Sequence, residues 1–207
     1  MTRLVIRQER QGQIIEALKD CLLRKSYHDT TIKDIAAQAG MPPGLIHYYF
    51  KSKEAILLAM ADKATGEYLH NVSEWEQTLP EQTTAAEFLR QHLPQLMAVM
   101  YSSKNIDYSL TLCQLWGLCN YNQQVEDKLR ESFHICEQML LRIFRSHGVP
   151  EAHLAPLSRV IVILNEGFGF FTMAYDLDGQ KCAQIMQYCG EVFSQAIPAT
   201  AALNAVE

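Results

Sequence analysis

Residues 30–54 read Thr30-Thr31-Ile32-Lys33-Asp34-Ile35-Ala36-Ala37-Gln38-Ala39-Gly40-Met41-Pro42-Pro43-Gly44-Leu45-Ile46-His47-Tyr48-Tyr49-Phe50-Lys51-Ser52-Lys53-Glu54, and their punctuation decides the fold. Thr31 with Asp34 three residues on has the spacing of a capping box, Asp standing in for the usual Glu or Gln. A short helix opens there and carries Ile32, Ile35, Ala36 and Ala39. Gly40, free to adopt positive φ, ends it. Proline is tolerated in a helix only in its first turn, so a second helix starts near Pro43 and runs through Phe50. Ala36 is small enough for a helix crossing, Gly40 bends the turn, and Ile46 pins the second helix. Their offsets of four and ten residues are those of a helix-turn-helix.

Outward from this core the chain reads as helices only, with no sustained alternation of β-branched residues to support a strand. Residues 8–25 place Ile14, Leu18, Cys21 and Leu22 on one stripe, and Ser52 caps a long helix carrying Ile56, Leu57, Met60, Ala64 and Tyr68. Leu79-Pro80 marks a loop; Thr84 with Glu87 opens another helix, kinked at Pro94. Helices follow over 106–120, 123–147, 154–176 and 181–197, separated by Gly148 with Pro150 and by Asp178-Gly179. The fold class is all-α: three N-terminal helices, then roughly six more.

Charge divides the chain at the same place. Residues 1–53 hold nine Lys/Arg against five Asp/Glu, whereas residues 54–207 hold nine against eighteen. A basic module that approaches phosphates on an acidic body that stays clear of them is the natural explanation. The expected domains are therefore 1–53 and 54–207. No apolar run, Val160 to Leu164 included, is long enough to cross a bilayer, and charges at Arg3, Arg7, Glu9 and Arg10 interrupt any secretory signal. Six cysteines in 207 residues are too sparse for a disulfide scaffold, so the expected location is the cytoplasm. No metal-ligand, phosphate-loop or nucleophile–base arrangement occurs, so no catalytic residue, metal or cofactor is expected.

The 30–54 stretch closely resembles the DNA-binding signature of the TetR/AcrR family of bacterial regulators, whose pattern runs T-T-x-x-x-I-A-x-x-A-G-V-S-x-G-x-x-Y-x-Y-F-x-x-K-E. The resemblance implies a homodimer with three DNA-binding helices and a ligand-responsive, dimerising body. It further implies that the second motif helix lies in the major groove, with Pro43, Gly44 and Leu45 nearest base edges and His47 and Tyr48 reaching phosphates or a base edge. Thr30 and Thr31 suit a phosphate, Lys53 matches the family's phosphate-contacting lysine, and Lys51, Arg3 and Arg7 are electrostatic candidates. Phe50, with Tyr49, locks this helix onto its neighbours. Pro42, Leu45 and His47 depart from the family's frequent Ser, Thr and Tyr. Leu45 substitutes an apolar contact for a polar one, and His47 adds an ionisable ring.

The last two helices carry apolar stripes that the resemblance assigns to a four-helix dimer interface. The candidates are Leu164, Phe168, Phe171 and Tyr175 on one, and Cys182, Ile185, Met186, Cys189, Val192 and Phe193 on the other. A two-fold dimer would bind a near-palindromic operator in double-stranded DNA. Met97, Tyr101, Tyr108, Trp116, Tyr121, Phe133, Glu166 and Phe170 are candidates to line a pocket for an apolar or cationic effector. Trp116 and the run Leu164-Asn165-Glu166-Gly167-Phe168 resemble the family's choline-responsive subgroup, where an acidic residue and a Trp face the ligand; Glu166 facing the dimer partner is the alternative. The expected function is a ligand-responsive transcriptional regulator, a repressor released by a small molecule. The alternatives are an effector-independent activator, an architectural DNA binder, or a small helical enzyme.

Overall fold

The structure is a computed structural model that describes residues 3–80, 83–100, 106–175 and 178–197, with backbone alone at Arg3, 106–110, Leu112 and 169–175. The described residues are helical and include no strand. The helices are α1 (Arg3–Leu22), α2 (Ile32–Ala39), α3 (Pro43–Tyr49), α4 (Lys53–Glu76), α5 (85–100), α6 (Ile106–Cys119), α7 (Gln123–Ser146), α8 (Glu151–Tyr175) and α9 (Gly179–Ala196). The six cysteines, all among the described residues, form no disulfide. No helix among the described residues is long and apolar enough to cross a membrane.

One compact unit comprises Met1–Thr65 and Leu110–Leu129. Its core is built from Ile14 and Leu18 of α1, Ile35 and Ala36 of α2, Ile46 of α3, and Ile56, Leu57 and Met60 of α4. The punctuation residues do what their chemistry dictates. Thr31 Oγ1 accepts from the Asp34 N–H at 3.2 Å while the Thr31 N–H donates to Asp34 Oδ2 at 2.7 Å, closing the capping box. Gly40 sits at φ +64°, and the Met41 and Gly40 amides return to the carbonyls of Ala36 and Ala37 at 2.9 and 3.2 Å. This crossed pair satisfies the end of α2 and turns the chain into Pro42, which is extended ahead of Pro43 at the first position of α3. Ser52 caps α4 by accepting from the Ala55 N–H at 3.1 Å.

The second unit comprises Gly66–Ser109 and Arg130–Glu207. Its α5 opens on a capping box at Thr84 and Glu87, passes through a π-helical turn at Phe88–His92, and continues as Leu93–Met100. The kink expected at Pro94 takes the form of that turn. The Leu93 N–H reaches back to the Phe88 carbonyl, and Pro94 has no N–H to offer the carbonyls of Leu89 or Arg90. α9 packs across this point at Gly190, where a Cβ would lie 2.7 Å from the Leu89 oxygen and 2.8 Å from Pro94 Cγ. Phe88 also stacks on His147 (centroids 4.1 Å apart) and meets Phe144 edge-on at 6.1 Å. α8 begins at Glu151, ahead of the expected 154, and accommodates Pro156. Asp178 caps α9 through the Lys181 N–H at 2.8 Å.

The packing of α9 divides the residues expected at the dimer interface between buried and exposed positions. Cys182 and Met186 are buried, because the face of α9 that carries Cys182, Met186 and Gly190 is the one seated on α5, and Phe168 of α8 is buried as well. Leu164, Cys189 and Phe193 are half-buried. Ile185 and Val192 are exposed, and so are Val160, which lies on the expected apolar stripe of α8, and Ile163 and Tyr188, which lie outside the expected stripes. The side chains of Phe171 and Tyr175 lie outside the described residues.

Candidate nucleic-acid interface

α3 is two-faced. Ile46 is fully buried and Phe50, just past its end, is buried too, whereas Pro43, Gly44, His47 and Tyr48 face outward and Leu45 is half-buried. Tyr48 keeps 61% of its surface exposed and stands edge-on to Tyr49 at 5.0 Å. A short helix that buries its apolar anchor and presents proline, glycine, imidazole and phenol on one outward side is shaped to touch another surface. In the same 1–53 segment the exposed cations Lys33, Lys51, Arg7 and Arg24 supply positive charge. The side chain of Arg3 lies outside the described residues.

Three expected phosphate contacts are placed differently. Thr30 is buried, and its hydroxyl donates to the Ser26 carbonyl at 2.9 Å, so that side chain holds a turn. The Thr31 hydroxyl donates to Asp34 Oδ2 at 2.7 Å, and the Thr31 N–H goes to the same carboxylate. A carboxylate already occupies the start of α2, leaving Thr31 only its exposed flank. Lys25 Nζ lies 2.8 Å from Asp34 and, with Thr31, holds that carboxyl well below its usual range. The Lys53 ammonium donates to the carbonyls of Tyr27 and Thr30, both at 2.6 Å, and sits 4.2 Å above the Tyr27 ring. Burial, with Glu54 nearby, pushes the Tyr27 hydroxyl up to about 12. The α2 helix is also tied to α1 by Gln38 Nε2 donating to Asp20 at 2.8 Å.

The candidate effector residues separate. Trp116 and Tyr121 belong to the first unit, and Tyr121, on the turn after α6, is 90% exposed. In the second unit Met97 is buried and Phe133 half-buried. Glu166 is also largely shielded. Burial raises its carboxyl to about 7, opposed by an Asn165 amide donor at 3.4 Å. Its field reaches the fully buried Tyr68 hydroxyl of α4, which also feels Cys136 of α7, so these three groups lie near one another. The side chains of Tyr101, Tyr108 and Phe170 lie outside the described residues. A separate apolar groove on α8 and α9, lined by His153, Pro156, Leu157, Val160, Phe193 and Ile197, encloses about 170 Å³.

Residues 14–60, running from the second half of α1 into the first third of α4, match the family described as bacterial regulatory proteins, tetR family. The chain is 25% identical over 150 residues to a fatty acid metabolism regulator protein of Bacillus subtilis, covering 72% of this chain and 76% of that one. It is 33% identical over 81 residues to the HTH-type transcriptional regulator BetI of Klebsiella pneumoniae, covering 39% of this chain and 42% of BetI. Among solved structures, a transcriptional regulator of Pseudomonas aeruginosa superposes with a TM-score of 0.75 at 18% identity, over 91% of each chain. A regulator from Saccharomonospora viridis solved with choline superposes with a TM-score of 0.72 at 22% identity, over 92% of this chain and 98% of that one. These structural likenesses speak to the fold, and the fold, the capped helix pair and the matched segment agree. The chain belongs to the TetR family of bacterial regulators and is a ligand-responsive DNA-binding transcriptional regulator.

Proposed function

We propose that the chain acts as a homodimeric repressor that binds a near-palindromic operator through residues 1–53 and is released when a small effector binds within residues 54–207. Pro43, Gly44 and Leu45 would lie against base edges, with His47, Tyr48, Lys51 and the exposed flank of Thr31 on phosphates or sugar. The observation that carries this is the outward face of α3: a phenol left 61% exposed beside His47, on a helix whose opposite side is fully anchored. Its place of action would be the cytoplasm. No enzymatic role is assigned.

The exposed apolar stripe of Ile163 on α8 and Ile185, Tyr188 and Val192 on α9 supports the two-fold pairing. Glu166 supports a small organic cation as effector, since a shielded carboxylate that no described cation pairs with is stabilised by one. Similarity to a fatty acid metabolism regulator favours an acyl ligand as the second reading. Release then follows if the effector prefers a conformation in which the two α3 helices no longer match successive major grooves; a 100-fold loss of operator affinity needs about 2.7 kcal/mol of coupling.

The test is fluorescence anisotropy on a duplex that the wild-type protein selects from a random-sequence pool. Binding should weaken steeply as KCl rises, with a log–log slope near −0.9 for each phosphate neutralised, and choline or a fatty acid should weaken it further at fixed salt. A protein that selects no duplex at low ionic strength would overturn the reading; selection without any response to small molecules would leave an architectural binder.

A further inference from the structure

Lys53 holds the two ends of the helix-turn-helix together. Its ammonium lies 2.6 Å from the carbonyl oxygens of both Tyr27 and Thr30 and 3.4 Å from that of His28, with the Tyr27 ring 4.2 Å below. An ammonium has three N–H donors and no acceptor, so three converging carbonyls satisfy it completely. Thr30 immediately precedes the N-cap of α2, and Lys53 is the first residue of α4, directly after α3. The contact therefore closes the 30–53 segment on itself, entrance to exit, with α2, the Gly40 turn and α3 as the loop between. The entrance is ordered independently of Lys53: Thr30 donates to Ser26 through its hydroxyl, and the Ser26 hydroxyl donates to Asp29 at 2.7 Å. Lys51, two residues before, is exposed, and no partner is found for it among the described residues.

We infer that Lys53 is a positioning residue that staples the start of α2 to the start of α4 and so fixes the angle at which α3 is presented, and that it supplies no charge to a DNA phosphate. The inference rests on the DNA-binding reading above but concerns a different residue role. Burial of the ammonium among carbonyls lowers its pKa, as expected of a lysine turned into the protein; the charges of Asp29 and Asp34 act the other way. Arginine is a poor replacement, because its planar fork cannot converge on three oxygens as a rotating ammonium does.

The experiment compares wild type, Lys53→Met, Lys53→Arg and Lys51→Met on the selected duplex across a KCl series. For Lys53→Met the expected result is an affinity lowered about ten-fold at each salt concentration with the salt slope unchanged. Lys51→Met should instead lower the slope by about one, and Lys53→Arg should fail to restore affinity. A Lys53→Met slope reduced by about one, with recovery in Lys53→Arg, would overturn the inference. Acetylation of the wild-type protein with acetic anhydride, read by mass spectrometry, needs no variant to fold. Lys53 should label more slowly than Lys51 without DNA and gain no protection when DNA is added. Rapid labelling that DNA suppresses would also overturn it. Should the wild type select no duplex, the DNA-binding reading fails, while the labelling rates still decide whether the staple exists.

Discussion

Two carboxyls respond to their surroundings in opposite senses. Asp34 is held below its ordinary value by the Lys25 ammonium and by Thr31. A depressed folded-state pKa stabilises the protein above the unfolded value, near 3.8, and that contribution is lost as pH falls further. Urea unfolding followed from pH 6 to pH 2.5 should therefore show an acid limb that Asp34→Asn reduces, and an identical limb in both proteins would count against the capping geometry. Glu166 is raised to about 7 by burial, so the sign reverses. The folded state retains its proton between about 4.5 and 7 while the unfolded chain loses it, so this group costs stability as pH rises through that window and adds no further change above it. Glu166→Gln should flatten the slope between pH 5 and 7. If the effector is a cation, choline affinity should also climb over that interval in wild type and stay low and flat in Glu166→Gln. A choline affinity indifferent to pH would transfer the cation site elsewhere.

At the scale of elements, helix boundaries were legible wherever they depend on neighbours in sequence. Both capping boxes, the Gly40 turn, Pro43 at the head of α3 and the Ser52 cap were readable because hydrogen-bond spacing and φ preferences act over three or four residues. Direction was not legible. α9 has two apolar faces, Cys182–Met186–Gly190 and Ile185–Tyr188–Val192, and periodicity marks both without saying which meets α5. The deciding signal is Gly190, where α9 approaches the Leu89 carbonyl that Pro94 leaves without a helical donor. Tyr121 shows a related limit: aromatic content suggests a pocket, whereas this ring stands 90% exposed on a helix-ending turn. Gly190→Ala tests the crossing directly. Its Cβ would meet the Leu89 oxygen at 2.7 Å and Pro94 Cγ at 2.8 Å, backbone and ring atoms with little freedom to yield. Urea denaturation should report a loss of about 1–3 kcal/mol, the usual cost of overpacking. A neutral or stabilising result would mean that α9 is seated on α5 by another face.

For the whole molecule, the exposed face of α8 and α9 must be reconciled with stability in water. Ile163 is 68% exposed and Tyr188 67%, and Ile185, Val192 and Val160 are exposed on the same two helices. Several large apolar side chains clustered on two adjacent helices is the pattern of a surface made to be covered. Covering one such side chain fully is worth about 1.5–3 kcal/mol, and a two-fold interface counts every residue twice. Ile163→Glu should therefore weaken dimerisation by at least about 100-fold, equivalent to about 2.7 kcal/mol, as read by sedimentation equilibrium. The protomer should keep its helical circular dichroism and urea midpoint, because Ile163 makes little contact within its own chain. Met186→Ala is the complement: Met186 is buried, so that variant should lose stability by about 2–5 kcal/mol while still pairing. Operator binding by Ile163→Glu should fall as well, because two linked half-site contacts act at high effective concentration and separate monomers do not. A dimer that survives both Ile163→Glu and Tyr188→Glu would move the two-fold axis away from α8 and α9, and with it the spacing of the two α3 helices on DNA.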